Sequence, residues 1–258
     1  MKKSPKWALI LGASSGFGAA VGIELARIGY NIYGVHLDRR ETLSQAADVQ
    51  HDIRNAGGET VFFNLNAAED EKRREVVDRI RADGNEIGVL LHSLAFGALR
   101  PLVGAPETAS KRQIEMTSDV MGHSLVYWTQ DLVSNNLMKS GGRIFAMTSE
   151  GGGKAITDYG PVSAAKAILE AHIRQLALEL APLGITANAI MAGVTDTPAL
   201  RKIPGCENLI EMARKRNPHK RLTTPIDVAR CIAALSCEKT YWMTGNTLRV
   251  DGGEGSVA

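Results

Sequence analysis

The sequence predicts an α/β fold, a doubly wound parallel sheet in a single domain spanning 1–258, and three observations carry that prediction. An apolar run, Trp7 to Leu11, breaks directly into glycines spaced Gly12-x-x-x-Gly16-x-Gly18. Short apolar runs of strand length then alternate with helical stretches of ten or more residues. Strands separated by such helices demand right-handed parallel crossovers, which place helices on both faces of one sheet. Finally, 258 residues at 44% hydrophobic content can bury one full α/β core, and no repeat, low-complexity tract or linker divides them.

The first strand, Trp7 to Leu11, is continuously apolar, as a strand covered on both faces must be. The helix after it, about Phe17 to Ile28, points free backbone N–H groups and a positive dipole end into the turn, where a pyrophosphate fits. Gly12 allows the sharp reversal, Gly16 lets the backbone approach the anion, and Gly18 lets the helix pack close to the strand. Ser14, Ser15 and Phe17 complete this expected cofactor-binding turn. Asn31 to Val35 is a second strand, followed by an amphipathic helix from about Glu41 to Asn55 that ends at Gly57-Gly58. Thr60 to Asn64 is a third strand, about Ala68 to Ala82 a charged helix, and Gly88 to His92 a fourth strand. Thr108 to Lys139 reads as one long helix closed by Gly141-Gly142, and Arg143 to Thr148 as a fifth strand. Pro161 suits the first turn of a helix that runs to Ala181, with Pro182 and Gly184 just past its end. Ile185 to Ile190 is the sixth strand, and the arrangement is Rossmann-type.

Composition excludes several classes of partner. A net charge of +2 with both signs interspersed gives no electrostatic case for nucleic acid or an anionic membrane. Cys206, Cys231 and Cys237 show neither paired spacing nor histidine neighbours suited to zinc, so reduced, mostly buried thiols in a cytoplasmic protein are expected, and no metal. The basic N-terminus is followed by only five apolar residues that lead into the glycine turn, which is a first strand rather than a signal peptide. No stretch reaches the roughly 18 apolar residues of a membrane helix, so a soluble protein is expected.

The end of the second strand bears on the cofactor's 2′ group. An acidic residue there accepts hydrogen bonds from the adenosine ribose, whereas basic residues suit a 2′-phosphate. Here Val35 is followed by His36-Leu37-Asp38-Arg39-Arg40. His36 stands where the acid is expected, and Arg39 and Arg40 lie within reach, so NADPH is favoured over NADH, with Asp38 the opposing signal. Beyond the fourth strand, Ser93, Leu94 and Ala95 lie where the open-sheet rule places ligands, and small residues let the nicotinamide ribose lie close.

Thr148-Ser149-Glu150-Gly151-Gly152-Gly153, then Tyr159-Gly160-Pro161-Val162-Ser163-Ala164-Ala165-Lys166, resembles the active-site segment of the short-chain dehydrogenase/reductase family. The resemblance covers essentially the whole chain: the glycine turn, Asn66-Ala67 after the third strand, Asn188-Ala189-Ile190 in the sixth, and Asp251-Gly252-Gly253. The common family pattern puts tyrosine four positions before lysine, where this chain has Val162, which has no proton to give. Tyr159 lies seven before Lys166, and that spacing resembles the divergent enoyl-acyl-carrier-protein reductase branch. His92-Ser93-Leu94-Ala95-Phe96 is similar to a segment of that branch, Ser118-Asp119-Val120 replaces the asparagine-containing segment of the carbonyl reductases, and Gly97 to Pro101 with Thr195-Asp196-Thr197 looks most like its NADPH-dependent form. One departure is Ser149, which stands where better-known members carry a second tyrosine and where carbonyl reductases keep their serine.

The resemblance implies a catalytic set of Tyr159, Lys166 and Ser149. Hydride addition to the β-carbon of an enoyl thioester leaves negative charge on the thioester oxygen, and a donor must meet it. The Tyr159 hydroxyl is expected in that role, with the Lys166 ammonium holding the cofactor ribose and lowering the tyrosine's pKa, and Ser149 adding a hydrogen bond. Residues seven apart lie on nearly the same helix face but about 10 Å apart along the axis, against about 6 Å for four, and Pro161 biases Gly160 toward an extended backbone that leaves Tyr159 off the helix. Val194, Thr195 and Thr197 are expected to touch the cofactor where the chain enters a substrate lid, about 194–218, with a short helix over Glu207 to Lys215. Leu200, Ile203, Leu209, Ile210 and Met212 could line an acyl pocket there, and Arg201, Lys202, Lys215 and Arg216 could face an acidic carrier.

Three functions fit this reading: an NADPH-dependent enoyl thioester reductase of fatty-acid synthesis, acting on acyl carrier protein or coenzyme A thioesters; a carbonyl reductase acting on 3-oxoacyl thioesters or other ketones; and a redox-sensing binding protein. The presence of both Tyr159 and Lys166 argues against the third. The resemblance also implies a homotetramer built partly through the long helices.

Overall fold

The computed structural model describes residues 6–104 and 106–257; the basic segment 1–5 read from the sequence lies outside them. Seven strands, β1 (Lys6–Leu11), β2 (Tyr30–His36), β3 (Thr60–Asn64), β4 (Ile87–His92), β5 (Arg143–Thr148), β6 (Thr186–Ala192) and β7 (Thr247–Val250), form one sheet in the order β3-β2-β1-β4-β5-β6-β7. Every pairing is parallel. The order reverses between β1 and β4, and that switch point opens a crevice at the carboxyl edge of the sheet.

Helices α1 (Gly16–Arg27), α2 (Leu43–Asn55) and α8 (Pro225–Leu235) cover one face, packing Val21, Leu25, Ile53, Val228 and Ile232 against Ile10, Ile32 and Ile190. Helices α3 (Asp70–Ala82), α5 (Ser124–Ser134) and α6 (Gly160–Leu180) cover the other, with Ile80, Trp128 and Leu169 against Leu9, Leu90 and Ile144. This double cover explains why β1, β2, β4 and β5 are buried almost along their whole length rather than alternating between buried and exposed. Helix α7 (Cys206–Arg216) lies in the expected lid. No described helix is long and apolar enough to cross a membrane.

The structure corrects the sequence reading in four places. The expected helix from Thr108 to Lys139 is two, α4 (Lys111–Ser118) and α5, joined by a π-helical segment over Asp119–His123, and it ends at Ser134. Gly122 explains the widened turn: a Cβ there would stand 2.9 Å from Ile168 Cγ2 and 3.1 Å from the Ala165 carbonyl, so its absence lets the segment press onto α6. Helix α8 and strand β7 were not foreseen. Gly160 is helical rather than extended, with Tyr159 as the N-cap residue of α6. Of the cysteines, Cys206 and Cys231 are half-buried and Cys237 is exposed, so the thiols are free but not mostly buried.

Candidate active site

The turn after β1 is shaped by its glycines. Gly12 has φ +90°, and a Cβ there would approach the Ser93 carbonyl oxygen to 2.5 Å, so only glycine lets β1 and β4 lie this close at the switch point. A Cβ on Gly18 would overlap the Gly12 carbonyl oxygen, which fixes the start of α1 against the turn. A Cβ on Gly16 would find only the Thr197 methyl, at 3.6 Å, so the backbone here is open toward a ligand. Ser15 is the N-cap residue of α1 with no side-chain cap bond, so its helix-terminal N–H groups are unclaimed by that side chain. Phe17 packs against the α1 side of the core rather than into the turn. An open glycine turn at a helix N-terminus fits the pyrophosphate of a dinucleotide.

Around it lie the other expected cofactor residues. Ser93 donates its N–H to the Leu11 carbonyl at 2.9 Å, half-buried Leu94 joins the core, and Ala95 is exposed. Asn66 accepts from the Ala68 N–H at 3.1 Å, while Trp128 Nε1 donates to the Ala67 carbonyl at 2.9 Å, fixing the segment after β3 from beneath. Thr195 and Thr197 are buried, and Thr197 meets Gly16 across the crevice. The Val194 N–H is held by the Glu254 carboxylate at 3.3 Å.

The ribose end is less simple than the sequence suggested. His36 is buried and its Nδ1 lies 2.7 Å from Asp38 Oδ2, while the Thr42 hydroxyl donates to Asp38 Oδ1 at 2.7 Å. Burial pushes the Asp38 carboxyl up, but hydrogen bonds from Ser14, Thr42 and His36 outweigh it and hold its pKa below the usual value. The acid of this strand end is therefore Asp38, carried to Ser14 in the glycine turn, and His36 supports it. Arg39 and Arg40 are exposed and form no ion pair among the described residues.

At the carboxyl end of β5 the three expected catalytic residues converge. Tyr159 Oη and Ser149 Oγ are 3.3 Å apart. The ring of Tyr159 lies on Gly151, where a Cβ would stand 2.6 Å from its Cε1. Burial raises the tyrosine's pKa, and the Ser149 hydrogen bond offsets only part of that. Lys166 is 6% exposed and donates to the Met147 carbonyl at 2.7 Å. Burial lowers its pKa from 10.5 to about 8, with Glu170, one turn further along α6, pulling the other way. The expected depression of the tyrosine by the lysine is thus not seen, because the ammonium is turned to the β5 backbone. Beside it, His92 is fully buried with Nε2 2.9 Å from the Ser124 hydroxyl, and burial together with the Lys166 charge lowers its pKa to about 3, so it is neutral.

In the segment expected to form the lid, Ile210 is buried, while Met212 is 66% exposed to solvent. Its basic residues are largely engaged within the chain: Arg201 pairs with Asp196 and Glu207, Lys215 with Glu211, and Arg216 with Glu150 and Glu254. Sequence reasoning gave no role to Glu150, Gly151 or Glu254 and turned Arg216 toward a carrier rather than inward; Glu150 and Gly151 follow the singled-out serine, but no spacing announces the pairing of Arg216 with Glu150 and Glu254.

A family model described as Enoyl-(Acyl carrier protein) reductase matches residues 12–254. The NADPH-type enoyl-acyl-carrier-protein reductase FabI of Staphylococcus aureus is 30% identical over 195 residues, 76% of this chain and 75% of its own length. The NADH-type FabI of Nostoc sp. is 31% identical over 194 residues, 75% of this chain and 74% of its own. The crystal structure of the NADH enoyl-acyl-carrier-protein reductase from Aquifex aeolicus superposes with a TM-score of 0.86 at 24% identity, covering 97% of this chain and 96% of that one, a likeness of fold. On the family match over 12–254 and these relatives, the chain belongs to the short-chain dehydrogenase/reductase family, near its enoyl-acyl-carrier-protein reductase branch, and is an NAD(P)H-dependent oxidoreductase.

Proposed function

We propose that this enzyme reduces the C2–C3 double bond of an enoyl thioester in fatty-acid synthesis. The observation that carries the reading is the pair of hydroxyls, Tyr159 Oη and Ser149 Oγ, 3.3 Å apart, with Lys166 buried in helix α6 and Val162 in place of a tyrosine four before it. The dinucleotide, held by the Gly12–Gly18 turn, Asn66, Ala67, Ser93 to Ala95, Val194, Thr195 and Thr197, supplies a hydride to the β-carbon when bound. Tyr159 Oη donates to the thioester oxygen as negative charge gathers on it, and a raised pKa keeps that hydroxyl protonated at neutral pH. Ser149 orients the phenol and adds a second donor. The Lys166 ammonium, freed from Met147, takes the ribose hydroxyls.

The donor we propose is NADPH, on the strength of the exposed Arg39 and Arg40, which form no ion pair among the described residues. A second reading, NADH, is favoured by Asp38, whose carboxylate is braced by His36 and Thr42 and faces Ser14 in the turn, where it suits a 2′-hydroxyl and repels a 2′-phosphate. The Ser149–Tyr159 contact is also what the alternative reaction, reduction of a 3-oxoacyl thioester, would use. The acyl group is carried on acyl carrier protein or coenzyme A, and the enzyme works as a homotetramer in the cytoplasm, packed partly through α4, α5 and α6.

Oxidation of NADPH and NADH, followed by absorbance with a short trans-2-enoyl thioester and with a 3-oxoacyl thioester, tests the proposal. Turnover of the enoyl substrate alone is expected. Turnover of only the oxo substrate would overturn it.

A further inference from the structure

The lid is fastened at both of its stems to one short stretch near the C-terminus. At its entry, the Val194 N–H lies 3.3 Å and 3.4 Å from the two Glu254 carboxylate oxygens. At its exit, Arg216 Nη2 donates to Glu254 Oε1 at 3.2 Å, and the next residue, buried Asn217, donates to the Asp251 carbonyl at 2.9 Å. Glu254 is only 3% exposed, so this carboxylate is committed to the two stems rather than to solvent.

From the same guanidinium, Arg216 Nη2 also reaches Glu150 Oε2 at 2.8 Å. Glu150 directly follows Ser149 in the turn that carries the Tyr159 ring on Gly151. Its other oxygen accepts from Lys154 at 2.6 Å and lies 3.8 Å from Arg249 Nη1. Burial pushes the Glu150 carboxyl up, but Lys154 and Arg216 outweigh it, and the Glu150 hydrogen bond holds Arg216 firmly protonated. Among the described residues, Arg216–Glu150 is the one side-chain hydrogen bond between the lid, 195–216, and the segment 149–170 that holds the reacting groups.

We propose that Arg216 and Glu150 are a positioning pair: a latch that holds the exit of the lid against the Ser149 turn, so that lid closure over the acyl chain and alignment of the Ser149 and Tyr159 hydroxyls are one event. The pair rests on the enoyl thioester reading for its substrate, but its mechanical claim does not. A part-buried, charge-assisted bond couples the exit of the lid to the turn that carries the Ser149 and Tyr159 hydroxyls. Both acceptors of Arg216 are carboxylates of the chain, and it acts on the hydroxyls through Glu150.

The test uses the full chain and the variants Glu150→Gln, Arg216→Ala and Arg216→Lys, with the double variant Glu150→Gln/Arg216→Ala. Glu150→Gln and Arg216→Ala should each raise the KM for the enoyl thioester about tenfold, the size of one lost charge-assisted hydrogen bond, with a smaller fall in kcat. Cofactor affinity, read from nicotinamide fluorescence, should stay within about twofold because the glycine turn is untouched. Arg216→Lys should recover most of the loss, and the double variant should be no worse than Arg216→Ala alone. Additive losses, or a KM unchanged in Glu150→Gln, would overturn the latch.

A second readout separates failure of the latch from failure of the substrate reading. Glu150→Gln leaves every lysine and arginine of the lid in place, so trypsin should cut 201–216 faster in that variant than in the wild type. If the wild-type enzyme turns over no enoyl thioester yet the variant's lid is cut faster, the latch stands and the substrate reading falls. Equal cutting rates sink the latch whatever the substrate.

Discussion

Gly151→Ala is the sharpest probe of the tyrosine's placement, because it pushes on the ring without touching the hydroxyl. The new Cβ would stand 2.6 Å from Tyr159 Cε1, 2.9 Å from Cδ1 and 3.1 Å from Ile156 Cδ1. Carbon atoms rest at about 3.5–4.0 Å, so the ring must retreat by roughly 1 Å. The Ser149–Tyr159 bond, already 3.3 Å, then passes beyond hydrogen-bond range. A displacement of about 1 Å at a reacting group costs on the order of 100-fold in rate. Gly151 does not have a positive φ, so alanine is tolerated by the backbone, and Tm should change little. Steady-state turnover of a trans-2-enoyl thioester should fall about 100-fold while cofactor affinity holds within about twofold. Tyr159→Phe should lose about 100- to 1000-fold, as for removal of an oxyanion donor, and adding Gly151→Ala to it should cost nothing more. If Gly151→Ala keeps half its activity, or if the two losses multiply, the hydroxyl is not where the chemistry happens.

Three further outcomes follow from the site. Lys166 has its pKa lowered from 10.5 to about 8 by burial, so below pH 8 the cost of burying its charge is fully present, and between about 8 and 10.5 the folded chain sheds a proton that the unfolded chain keeps. Stability should therefore rise with pH in that window by about 3 kcal/mol relative to Lys166→Met in urea unfolding, and a constant difference between the two would refute the buried charge. If the ammonium form holds the ribose as proposed, kcat/KM for the cofactor should fall with one proton lost above pH about 8; a flat profile to higher pH removes Lys166 from that task. Asp38→Asn should raise the ratio of kcat/KM for NADPH over NADH about tenfold by removing one carboxylate from the 2′ position, and Arg39→Ala with Arg40→Ala should lower it; an unchanged ratio in both would show that neither end of His36–Arg40 reads the ribose.

Much of this architecture was legible because it is written in local patterns. The doubly covered strands are continuous apolar runs, and Gly12, Gly16 and Gly18 mark a turn that no other residue could make so tightly. What escaped was set by distant contacts. The π-helical turn at Asp119–His123 keeps an apolar periodicity compatible with one helix, and only the packing of Gly122 on Ile168 and Ala165 reveals why it widens. Strand β7 is four residues long at the sheet edge and half-exposed, too short and too polar for its alternation to stand out. Helix α8 was readable: Thr224 and Asp227 form a reciprocal capping box with Pro225 in the first turn. At the site, sequence spacing singled out Tyr159, Lys166 and Ser149, but the directions in which Lys166 and Tyr159 point depend on Met147 and Gly151, which chain distance alone does not reveal.

Position 162 carries the choice between reaction classes furthest. In the common family pattern this position, four before the lysine, holds the proton donor; here Val162 is 4% exposed and packs with Val120, Met121 and Ala165. Gly97 lies so close that a Cβ on it would stand 2.9 Å from Val162 Cγ2. The space a four-spaced phenol would fill is therefore occupied by close-packed apolar side chains, and a hydroxyl cannot enter it without overpacking or an unpaired buried oxygen. The donor we propose stands instead at the N-cap of α6, nearly two turns before Lys166, where Tyr159 lies on Gly151 and reaches Ser149. A donor moved outward along the helix axis meets an oxygen further from the carbon that receives hydride. In a ketone those two atoms are bonded to each other; in an enoyl thioester the oxygen lies two carbons beyond the β-carbon, and that longer separation is why the outward placement of Tyr159 supports the proposed enoyl substrate over a ketone.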